Sequence, residues 1–61
     1  MTEQEAVIEM VKDLDNESAI KKLEDVEFYI QMKDHWSASD SRRVDACTWL
    51  IKKIKEGKRY D

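Results

Sequence analysis

Apolar residues recur along this chain at intervals of three and four, and two short polar runs interrupt them. Val7, Met10, Val11 and Leu14 form a first stripe. Ala19, Ile20, Leu23, Val26 and Ile30 form a second, and Val44, Cys47, Leu50, Ile51 and Ile54 a third. This spacing places each set on one face of an α-helix. The interrupting runs, "DLDNES" and "WSASD", are rich in residues that cap helices and turn the chain. Three helices are predicted, over about residues 3–14, 18–35 and 39–56.

The flanking residues agree with these spans. Thr2 precedes Glu5 by three positions and Ser37 precedes Asp40 by three, each the spacing of a capping box, with Ser39 and Asp40 as competing caps for the third helix. The first two stripes differ in phase by roughly 140° when each residue is rotated by about 100°, so one straight helix could not bury both against the same neighbour. A tight turn at Asp15–Glu17 resolves the conflict, and a bent continuous helix is the alternative. Lys52, Lys53 and Lys55 suit the carbonyl end of the third helix before Gly57, and the terminal "KRYD" is expected to fray. The expected fold is all-α: a small bundle of two to three helices built on an antiparallel helical hairpin.

The second helix carries one apolar set too many. Phe28, Tyr29, Met32 and Trp36 centre roughly 150° from the Ala19–Ile30 stripe, which gives the helix two apolar faces. A two-helix hairpin covers only one of them. Either the first helix folds back over one face and the third covers the other, closing a three-helix core, or part of the aromatic set stays exposed as a docking surface. A dimer satisfies both readings. Trp49 is a second anomaly, turned away from the Val44–Ile54 stripe with Arg42, Asp45, Lys52 and Lys53 as helical neighbours. It reads either as an interface anchor with a polar rim or as a ring lying flat beneath lysine stems. The candidate protein interface is therefore Phe28, Tyr29, Met32, Trp36, Trp49 and Arg42.

Composition narrows the remaining chemistry. The chain has 61 residues, no proline and one glycine, which favours helix and bounds it to one domain of marginal stability. One cysteine forms no internal disulfide, and Cys47 with the single His35 does not complete a four-ligand zinc site. Association is the support that remains. There is no glycine-rich phosphate loop, HExxH motif or paired-cysteine motif, and no cofactor is expected. Cys47 lies on an apolar face as a small core residue, while Ser37 and Ser39 cap rather than attack. An enzyme is not expected.

Eleven basic and fourteen acidic residues give a net charge of −3 with both signs mixed. That sign disfavours reliance on phosphate contacts. A helix-turn-helix regulator built around Arg42 and Arg43 is the runner-up, weakened by Asp40 and Asp45, which are expected to pair with those arginines. No apolar run approaches the ~18 residues that span a bilayer, and "MTEQEAVIEM" lacks the basic and apolar character of a secretory signal, so a cytoplasmic location is expected.

The stretch "KDHWSASDSRRVDACTWLIKKIKEG" resembles the second half of small helical proteins of bacteriophages and prophages of Gram-positive bacteria. In those proteins a tryptophan, a Ser or Thr cap, an acidic residue and a basic-apolar helix follow one another. The resemblance implies an accessory or inhibitor protein that binds a host factor, and it carries over no active-site residue. Together these readings predict a non-enzymatic protein-protein interaction module whose partner is itself or a host protein, most simply as a homo-oligomer.

Overall fold

The computed structural model describes residues 2–58 and contains three α-helices, α1 (Glu3–Val11), α2 (Asn16–Gln31) and α3 (Ala38–Lys55). Thr2 caps α1, its hydroxyl accepting the Glu5 N–H at 3.1 Å. Asp15 caps α2 by accepting the Ser18 N–H at 2.8 Å, so the first two helices are separate. The α3 cap is a complete box. Ser37 Oγ accepts the Asp40 N–H and Asp40 Oδ2 accepts the Ser37 N–H, both at 3.1 Å. At the far end Gly57 adopts φ +78°, with its N–H on the Ile54 carbonyl and the Lys58 N–H on the Lys53 carbonyl. These are the paired bonds of a Schellman closure, which needs the left-handed backbone that glycine tolerates. The fraying expected of the final four residues falls, beyond Lys58, outside the described residues.

Helix α3 is the shared wall of the bundle. It packs along both α2 and α1, whereas α1 and α2 scarcely meet. Val7 and Val11 of α1, Ala19 and Leu23 of α2, and Ala46, Cys47, Leu50 and Ile54 of α3 form one buried cluster. Ile8, Met10, Ile20, Val26, Trp49 and Ile51 pack around its edge. Between helices, Thr48 donates its hydroxyl to Glu27 Oε1 at 2.9 Å, and Arg43 Nε donates to Glu3 Oε1 at 2.6 Å. No helix among the described residues is long and apolar enough to cross a membrane.

Several expectations are corrected by this arrangement. Helix α1 ends at Val11 rather than Leu14, because the chain turns at once into the Asp15 cap, and Leu14 is left 37% exposed instead of joining the buried stripe. Helix α2 starts two residues before Ser18, so the turn falls at residues 12–15 and not at Asp15–Glu17, and the helix stops four short of His35. Its end is set by the Lys33 N–H bonding the Ile30 carbonyl, which tightens the last turn, and Trp36 consequently lies in the connection. The closed core, with both faces of α2 covered, does not form: α1 lies on α3, not over Phe28, Tyr29 and Met32. Arg43 bonds Glu3 of α1 rather than Asp40 or Asp45.

Candidate protein interface

The α2 helix reads 100° per residue, so Phe28 and Met32, four apart, fall opposite Leu23 and Ile30, which face α3. Tyr29 lies on the flank between these two faces. The consequence is exposure. Phe28 is 65% exposed, Tyr29 and Met32 70%, and Trp36, four residues further on in the α2–α3 connection, 45%. At ~150 to 250 Å² per large aromatic side chain, these four present on the order of 500 Å² of mostly apolar surface at one end of the hairpin. A total of that order lies within the range of the largest apolar patch on a typical monomer, which is often a functional one.

The rim of this surface is polar and built from both signs. Lys33 Nζ stands 5.8 Å from the Tyr29 ring centroid and donates to both carboxylate oxygens of Asp40 at 3.3 Å. Asp40 is thereby held between a lysine and the start of α3. The Ser37 N–H, followed by the Lys33 contacts, keeps its carboxyl below the ordinary carboxylate range. Asp25, Val26, Tyr29, Ile30, Lys33 and Arg43 line an open groove of about 440 Å³ between the end of α2 and the start of α3. Its floor is apolar and its edges are charged.

The other predicted interface residues lie elsewhere. Trp49 is half-buried against the core cluster, and Lys53 Nζ lies 5.4 Å from its ring centroid, so the ring is sheltered by a lysine stem. Arg42 is exposed beside a separate groove that it shares with Thr2, Glu3, Gln4, Asp45 and Ala46 where α1 begins. The structure thus brings Phe28, Tyr29, Met32 and Trp36 to one end of the hairpin, and leaves Trp49 and Arg42 outside that group. Sequence reasoning passed over Lys33, Asp25 and Asp40 as parts of this surface. The signal for Asp25 and Lys33 was their spacing of four on either side of Tyr29, and that for Asp40 its place three residues after the Ser37 cap.

Two side chains able to carry nucleophilic chemistry, Cys47 and Ser37, are engaged in the fold. Cys47 is fully buried, and burial, reinforced by the charge of Glu27, raises its thiol to about 11. Ser37 is committed to the α3 cap. Among the described residues no group of three or more His, Cys, Asp and Glu side chains is arranged to hold a metal ion. No protein-family model, curated protein or solved structure matches the chain.

Proposed function

We propose that this protein is a non-enzymatic interaction module that docks on protein through the Phe28, Tyr29, Met32 and Trp36 surface, working in the cytoplasm. The observation that carries the reading is the exposure of four large side chains at one end of the α2–α3 hairpin, three of them at least 65% accessible; Leu14, at 37%, is the other exposed large hydrophobic among the described residues. Leaving such a surface in water is unfavourable by about 25 cal/mol per Å², and a partner recovers that free energy. A host-factor ligand, implied by the likeness to phage accessory proteins, is one form of the same function. The regulator reading is weaker: Arg43 is tied to Glu3, and Arg42 is left with Asp45 nearby where phosphate would have to approach.

The test compares the wild-type chain with a Phe28→Ser/Met32→Ser variant of equal helicity, each immobilised against an extract of the native host. Proteins held by the wild type and released by the variant, with little dependence on salt, support the module. Equal retention by both overturns it. Binding of duplex DNA that weakens steeply with salt would favour the regulator instead.

A further inference from the structure

We propose that the occupant of this face is a second copy of the chain, with α2 packed antiparallel on its counterpart about a twofold axis passing near Tyr29. The proposal rests on the reading of that surface as a docking face, and it names the partner. Its main support is the order of charges along one flank. Asp25 and Tyr29 stand four apart on α2, and Lys33, just past the helix end and bonded to Asp40, holds its ammonium 5.8 Å from the Tyr29 ring centroid; all border the same groove, with the acid at one end and the Lys33–Asp40 pair at the other. A twofold axis perpendicular to α2 at Tyr29 reverses that order. Each Asp25 then faces the other copy's Lys33, while the two tyrosines meet at the centre and Phe28 and Met32 of both copies interleave beside them. A parallel pairing would instead set Asp25 on Asp25 and Lys33 on Lys33. The flank is self-complementary in one orientation only.

Area and stability point the same way. A patch on the order of 500 Å² on each copy buries about 1,000 Å² in a symmetric pair, the lower edge of specific interfaces, which fits a weak, reversible dimer with a dissociation constant of about 10 to 100 μM. With a single cysteine the 61-residue chain has no internal disulfide, and among the described residues no group of His, Cys, Asp and Glu side chains is arranged to hold a metal that would reinforce the small core. Covering the same apolar surface on every copy supplies that reinforcement.

Sedimentation equilibrium between about 10 μM and 1 mM, with circular dichroism on each variant, tests the proposal. The wild type is expected to dimerise, and amide shifts that change on dilution should centre on residues 25–36. Phe28→Ser should weaken dimerisation by more than tenfold with helicity unchanged, since Phe28 touches no core. Asp25→Lys, which leaves the Lys33–Asp40 bond intact, should weaken it about fivefold at low salt and by less as salt rises. Tyr29→Cys, on the axis, should oxidise to a covalent dimer, whereas Asp25→Cys should not, because an antiparallel twofold carries the two copies of residue 25 apart along the helix. Failure of Tyr29→Cys to cross-link, or cross-linking of Asp25→Cys instead, overturns the arrangement, as does dilution mapping elsewhere. A wild type that is monomeric at about 1 mM overturns the second copy altogether. If that monomer still holds host proteins through Phe28 and Met32, the docking module stands without self-association; if it holds none, both readings fall.

Discussion

Glu3 and Arg43, forty positions apart, join the first turn of α1 to α3 through an Nε–H···Oε1 contact of 2.6 Å. The bond raises the Arg43 guanidinium further above its already high range and fastens the short α1 where its own packing is thinnest. The arginine side chain is 39% exposed, so solvent screens much of the attraction. A double-mutant cycle with Glu3→Gln and Arg43→Ala should return a coupling of about 0.5 to 1 kcal/mol, measured by urea unfolding. A coupling near zero would mean that α1 is held by its apolar contacts, those of Val7, Val11, Ile8 and Met10, and not by this ion pair.

Cys47 should behave as packing material. Thiol-specific reagent at neutral pH should label it at the rate at which the chain unfolds, and label Cys47 in urea at once. Its proton is held more tightly in the folded state, with the thiol raised from 9.0 to about 11. Stability from this group is therefore complete below pH 9 and is lost as pH rises towards 11. A Cys47→Ala chain, compared by melting temperature across that window, should show a shallower alkaline decline. Fast labelling of the folded wild type would contradict the burial of the thiol.

The Ser37 and Asp40 box defines where α3 begins. Ser37→Ala should cost about 1 kcal/mol and lower the melting temperature by several degrees, while Ser39→Ala should cost little, because Ser39 supplies no cap. Asp40 is depressed below 3.8, so its contribution is present at neutral pH and is lost as pH falls through its folded value. Asp40→Asn should flatten that part of the acid limb, seen in helicity as a function of pH.

Trp49 should report on the core. Trp49→Ala should cost about 2 kcal/mol, more than an exposed residue and less than a fully buried tryptophan, and Lys53→Ala about 0.5 kcal/mol through the lost contact over the ring. Tryptophan fluorescence and chemical denaturation measure both. A Trp49→Ala chain with unchanged stability but weakened association would transfer Trp49 to the interface.

Helix content, the separation of α1 from α2 and the Ser37 cap were legible because each is written within a few neighbouring residues. The end of α2 was not. "QMKDHW" contains no breaker, and its apolar spacing continues the helical period through Trp36, yet the chain must reverse before the Ser37 cap, and the hairpin overrides the local pattern. Leu14 misled for the same reason: its spacing fits the α1 stripe, but the Asp15 cap requires a turn there. The exposed surface followed from counting apolar faces, though sequence alone left open which face α3 would cover. Ala46 is buried without standing out, since a small side chain carries little periodic signal. The Glu3–Arg43 pairing depends on how α1 lies on α3, information spread across forty residues.

Because α3 serves two neighbours that hardly touch each other, the three helices differ in how freely their sequences can drift. A change at Val7 or Leu23 needs accommodation mainly from α3. A change at Ala46, Cys47 or Leu50 has to suit the shared core into which both other helices pack. Substitutions should accumulate in α1 and α2 largely independently of one another, with compensating pairs running through α3. A foreign α1 could be grafted onto the hairpin with repacking confined to one interface, whereas replacing α3 means redesigning the whole protein.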